Sequence, residues 1–344
     1  MDASNLNQIF TSYAHIGKYL IWYLLLLAVI LGSMSFYLIV NPSRTVERNT
    51  FWVMCFLTLG LMFGFSLICW LNFEIYRNFS LKIPNNFVGM INYWIKQMSI
   101  HSKMSIPLYN PLHPPRYKLP PWLEEERYCF WFLSFGIMAL IAWWRTKSAV
   151  IRRILEVLYC DQVLILTLVF TTFIKPLPNF VAEIKPWVTA SIPMAKVELF
   201  IKLYPRLVFY YNAPYMWGHP PLLFISYAAL TVFFAACVSM LVKNDTESEY
   251  IAYSYAKPAY LCLTVGMLLG LPWALEAWGP NWWWDPKIAS SIMMWVVFST
   301  YLHARLYLSR KGMWKFVAWL GILCFIAMIF TYLASYLFPG EHSF

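Results

Sequence analysis

Charge is scarce in this chain: of 344 residues, only 12% are Asp, Glu, Lys or Arg, against the usual share of about a quarter. With 60% of residues hydrophobic, that deficit excludes a soluble globule and points to an integral membrane protein with several spans. Paired cysteine motifs are lacking too. The seven cysteines (Cys55, Cys69, Cys129, Cys160, Cys237, Cys262 and Cys324) lie in or beside apolar runs, with no CxxC and no CxxCH. This excludes a disulfide framework and covalently attached haem, and leaves the thiols as small buried residues. No cleavable signal peptide is expected, because the first apolar run is too long for one and lacks a small-residue cleavage motif. The net charge of +10 does not indicate a nucleic-acid partner: the basic residues sit at the ends of apolar runs, as membrane anchors do.

What is abundant is uncharged length. Tyr19–Pro42, Asn49–Phe73, Tyr128–Trp144, Leu222–Val242, Pro258–Leu275, Ile288–Ala304 and Phe316–Gly340 each approach or exceed a crossing of roughly 20 helical residues. Ile154–Ile174 is a weaker candidate, since it carries Glu156 and Asp161. The expected fold is an all-α polytopic bundle of about eight transmembrane helices. An N-terminal membrane region, 1–214, holds long loops at about 74–127 and 175–219, and a second region covers 215–344.

Two short loops carry dense basic charge and no acid: Arg145, Lys147, Arg152 and Arg153, then Arg305, Arg310, Lys311 and Lys315. The positive-inside rule puts both on the cytoplasmic side. Both termini and the turn 276–287 then lie outside. His219, in WGHPP, and His342, in the tail PGEHSF, reach that same outer surface.

That turn reads WGPNWWWDPK, residues 278–287. Tryptophan faces between two histidines suit a porphyrin, whose iron takes an axial imidazole on each side. Taken singly, either histidine reads equally as a polar interfacial residue. His303, in STYLHARL, is a third candidate at the inner end of a span, where snorkelling to the interface is the competing reading. Asp161, in LYCDQV, is either functional or a residue that caps or breaks a helix. His101 and His113 lie in the long loop, and the HPP shared by His113 and His219 has mismatched flanks and no fixed period.

The turn resembles the WWD signature of the haem-handling proteins of cytochrome c maturation. The pattern W-G-x-x-W-x-W-D-P-K is met by Trp278, Gly279, Trp282, Trp284, Asp285, Pro286 and Lys287, with Trp283 at the variable position. GMLLGLPWALEAWG before it, MMWVVFSTYLHARL after it and the closing FTYLASYLFPGEHSF are similar to the CcsA (ResC) branch of System II synthases, over about residues 215–344. Ile288 departs from the glutamate common after DPK, and GHPPLLF is closer to the CcmF branch.

The resemblance implies that His219 and His342 are axial ligands of an external haem b cradled by the turn. It also implies that His303 is one ligand of a haem within the membrane. The implied activity is that of a cytochrome c haem lyase (synthase), with no acid–base catalytic residue. The implied partners are a CcsB/ResB-like membrane protein, apocytochrome c and thiol-reducing thioredoxin-like proteins. The implied location is a bacterial inner membrane or an organelle membrane of bacterial origin, in contact with lipid. Lys287 and Arg206 are candidate partners for the haem propionates. Two alternatives are a haem exporter or delivery subunit of CcmC or CcmF type, and a respiratory membrane cytochrome b. An unrelated transporter would show internal repeats and broken half-helices, which the sequence lacks.

Overall fold

Uncharged runs become helices here because a backbone in lipid must satisfy its own hydrogen bonds. The computed structural model describes residues 3–102 and 106–340, with the side chains of 3–5, 102, 276–281 and 335 outside the described set. Its helices are α1 (Ala3–Val40), α2 (Arg44–Asn78), α3 (Val88–Ser102), α4 (Glu126–Arg145), α5 (Ala149–Leu168), α6 (Pro178–Thr189), α7 (Pro193–Arg206), α8 (His219–Val242), α9 (Thr246–Trp278), α10 (Pro286–Arg305) and α11 (Met313–Leu337). The architecture is that of an all-α polytopic membrane protein.

All eight expected spans are helices. Among the described residues six of them, α1, α2, α4, α8, α9 and α11, are long and apolar enough to cross a membrane. The other two, α5 and α10, are 20-residue helices with more polar sequences. Asp161 neither caps nor breaks α5; it lies well inside it. Inside the expected loops the chain forms α3, α6 and α7, the last two started by Pro178 and Pro193 in the first turn, where a missing N–H costs nothing.

The chain divides into two compact units, the first comprising Met1–Leu20, Gly64–Arg127 and Thr171–Trp217, and the second Ile21–Phe63, Tyr128–Phe170 and Gly218–Phe344. The first is organised by an acidic triplet. Glu124 accepts from the backbone N–H groups of Asn179 and Phe180, both at 2.8 Å, and so supplies the start of α6 with the cap it otherwise lacks. Glu125 accepts from Thr171 N–H at 2.8 Å, and Glu126 from Leu177 N–H at 2.9 Å, where the backbone turns left-handed. Burial pushes the Glu124 carboxyl above its usual range. The core below is aromatic, with Tyr117, Phe180 and Tyr211 packed edge to face.

In the second unit α8 is central, and 14 of its 24 residues are buried against α9, α11 and α5. Phe233 stacks on Phe298 of α10, and Phe234 on Phe325 of α11. Four connections meet at one end of this bundle. Glu47 accepts from Arg152 at 2.9 Å and from Arg153, whose other nitrogen reaches the fully buried Glu156. Glu156 also accepts from Trp143 Nε1 at 2.7 Å, and the Arg152 guanidinium lies 4.3 Å over that indole. Glu247 accepts from Thr146 Oγ1 at 2.8 Å and from Lys147 N–H; Arg305 pairs with Glu249 at 2.6 Å. The two basic loops therefore share one end of the bundle.

Candidate functional site

The opposite end of the second unit is where α8 starts, α9 finishes and α10 starts. Two prolines follow His219 in the first turn of α8, where they fix the entry of the chain and place the imidazole at the helix mouth. Along α8, His219, Leu223 and Tyr227 recur at helical spacing and face one cleft. Met267, Gly270, Leu271, Trp273 and Ala274 of α9, Trp282 of the turn, and Lys287, Ile288, Ser291 and Ile292 of α10 complete it. The enclosed space is about 80 Å³, open on one side, with mostly apolar walls.

His219 is held from behind. Its Nδ1 lies 2.7 Å from the carbonyl oxygen of Gly266, so Nδ1–H donates and the ring's lone pair belongs to Nε2. Gly270, one turn further along α9, makes this packing possible: a Cβ there would come within 2.6 Å of His219 Cε1. The Trp273 ring sits 6.4 Å from the imidazole, tilted by 32°.

The signature turn is a short 3-10 segment, Gly279–Trp284, running straight into α10. Its aspartate and proline have a structural task. Asp285 caps α10, accepting from Lys287 N–H at 3.0 Å and Ile288 N–H at 3.3 Å, with Pro286 in the first turn. Trp282 lines the cleft, whereas Trp283 and Trp284 are 54% and 76% exposed, their rings 5.2 Å apart. The C-terminal stretch closes on the same place: a Cβ on Gly340 would lie 2.6 Å from Asp285 Oδ2. The side chain of Trp278 and the whole of His342 lie outside the described residues, and of Gly279 only the backbone course is described.

The structure thus brings together His219, Trp282, Asp285 and Lys287. His303 stands apart. It lies on α10 about 24 Å of helix from Lys287, at a rise of about 1.5 Å per residue. It is exposed on the face carrying Val296 and Thr300, with Nδ1 at 2.8 Å from Ser299 O. Arg206 belongs to the first unit and pairs with Glu183 at 2.9 Å. Sequence reasoning missed Gly266, Gly270, Tyr227 and Trp273. The one signal for them was the glycine pair four residues apart in VGMLLG, since a glycine inside a helical pattern usually marks close packing.

Comparison with known proteins identifies the family. The family described as Cytochrome C assembly protein matches residues 122–342, well over half of the chain. The cytochrome c biogenesis protein CcsA of Prochlorococcus marinus is 37% identical over 102 residues, covering 29% of this chain and 32% of that protein. The cytochrome c-type biogenesis protein CcmF of Haemophilus influenzae is 32% identical over 123 residues, 35% of this chain and 19% of that one. Among solved structures, one titled Cytochrome c Heme Lyase CcmF aligns with a TM-score of 0.59 over 93% of this chain and 47% of that chain, at 18% identity, which shows a shared fold. The matched part is no more than about a third of the length of these two sequence relatives. The chain belongs to the cytochrome c assembly protein family.

Proposed function

We propose that this chain is a haem-handling membrane protein of cytochrome c assembly that presents haem b at the tryptophan turn for thioether attachment to CxxCH motifs. The observation that carries this reading is the His219 imidazole, fixed in its Nε2-basic tautomer by Gly266, at the mouth of an apolar cleft with aromatic walls. The residues fit the group: an imidazole for iron, indole faces for a flat macrocycle and one cation, Lys287, for a carboxylate.

Each residue then has a task. His219 binds through Nε2. His342 supplies the second imidazole; it follows Gly340 by two residues, so chain length alone keeps its Cα within about 7 Å of that anchor. Trp278, Gly279, Trp282, Trp283 and Trp284 form the platform, Asp285 holds it through the start of α10, and Lys287 orients a propionate. His303 serves a second haem within the membrane, its exposure leaving the other ligand to a CcsB/ResB-like partner. The substrates bring the reacting groups, two thiols of the apocytochrome and two vinyl groups of haem, so the protein's contribution is orientation. Orientation lowers such barriers by up to about 7–11 kcal/mol in ideal cases. Thiols kept reduced by thioredoxin-like proteins complete the requirement. The positive-inside rule, applied to the two basic loops, supports an outer-face position for the turn, in a bacterial inner membrane or its organelle counterpart.

A second reading is haem delivery without ligation, since the matched part spans no more than about a third of the length of the sequence relatives. Co-expression with an apocytochrome and a CcsB-like protein separates the two, since only a synthase yields holocytochrome. A respiratory cytochrome b is disfavoured because His219, at the start of α8, and His303, in the last turn of α10, form no facing pair at one depth. The first test is a reduced-minus-oxidised spectrum with a pyridine haemochrome assay on the purified chain. A b-type signal weakened by His219→Ala and by His342→Ala supports the external site. Bound haem and cytochrome c production both unchanged in these variants overturn it.

A further inference from the structure

α5 presents one outward face. Val157, Asp161, Ile165 and Leu168 are all exposed and recur three or four residues apart, so a single carboxylate sits in an otherwise apolar stripe. No hydrogen bond or ion pair among the described residues engages Asp161.

The depth of this carboxylate follows from the residues beside it. Cys160 Sγ lies 3.2 Å from Ala28 O of α1, the Tyr159 hydroxyl 2.8 Å from Thr58 Oγ1 of α2, and the Tyr159 ring 5.9 Å from Phe135 of α4. Ala28, Thr58 and Phe135 each lie well inside an uncharged stretch: Tyr19–Pro42, Asn49–Phe73 and Tyr128–Trp144. Asp161 is therefore near the middle of the hydrocarbon layer, facing outwards. An aspartate has one methylene between backbone and carboxylate, so it cannot snorkel to water as lysine or arginine does. Lipid headgroups do not reach that level. An ionised or hydrogen-bonding group there is retained where it meets a counterpart.

We propose that the α5 face is the docking surface for a transmembrane helix of a partner protein that carries a Lys, Arg or His side chain at mid-membrane depth. Val157, Ile165 and Leu168 pack against that helix, and Asp161 supplies the polar contact that sets its register. A second copy of this chain does not fit. In a symmetric pair the two α5 faces would meet each other, setting Asp161 beside Asp161, because the basic residues of α5, Arg152 and Arg153, lie near its start. The inference is independent of the haem reading, because none of these four residues lines the cleft.

The test places a photo-crosslinking phenylalanine derivative at Ile165 of the full chain in its native membrane. The expected adduct joins a different membrane protein through a helix with a basic residue near the crosslinked position. Asp161→Asn lowers its yield about tenfold, the effect of a loss of about 1.4 kcal/mol, while Asp161→Glu retains most of it. Chain abundance and helix content stay at the level of the unsubstituted chain in both variants. Adducts only with lipid, adducts with a second copy, a partner helix without a basic residue, or a yield insensitive to Asp161→Asn would each overturn the proposal.

Discussion

The two ends of the second unit are built from the same helices by opposite means. At the basic-loop end, Glu47, Glu156, Glu247 and Glu249 each accept from a neighbouring helix or connection, and the closing contacts are charged. At the His219 end the contacts are aromatic and apolar, one imidazole is tethered to a backbone carbonyl, and two indoles stand exposed. Charge at a helix end is cheap where water is near and gives a firm closure. At the other end the cleft is open and its walls are mostly apolar, with Lys287 the one Asp, Glu, Lys or Arg among the lining residues described. The division places charged closure at one end and an open, largely apolar cleft at the other.

The firmest way to sharpen that division is to break the closed end. Glu156→Ala leaves Arg153 and the Trp143 indole N–H without their buried acceptor and should cost about 3–5 kcal/mol in thermal unfolding. The haem spectrum of the protein that remains folded should be unchanged; a loss of haem at equal stability would join the two ends functionally. Next comes Gly270→Ala, which removes no ligand but pushes the imidazole aside. Haem titration should show about 10–100-fold weaker binding, the usual effect of disturbing a ligand's support. Asp285→Ala should lower stability by about 1 kcal/mol through loss of the α10 cap, and Asp285→Asn should recover most of it. If Asn fails to recover it, the negative charge matters beyond the cap. Smallest is Glu249→Gln, whose pair with Arg305 is partly exposed: under about 1 kcal/mol, shrinking further in high salt.

Much of this was legible in one dimension. Each uncharged run became a helix, because that feature depends only on the local chain, and the start of α10 was written in DPK, a cap followed by a first-turn proline. The basic loops carried their shared location in their charge. The helices inside the loops were harder to see. α6 takes its cap from Glu124, more than fifty residues away in sequence, and no local signal announces such an acceptor. The support of His219 was hidden for the same reason: Gly266 and Gly270 acquire a meaning only when α9 lies against α8. Asp161 was visible as an anomaly, while its outward direction was not, since helix phase is set by partners rather than by sequence alone.

The His219 ring grows from α8, yet α9 grips it. An imidazole strung between two helices in this way registers any sliding of one along the other, because a shift of about an ångström stretches the Nδ1–Gly266 contact before it disturbs the packed core. The ring is thus a gauge of helix alignment, and whatever draws α8 and α9 into register also sets the aim of Nε2.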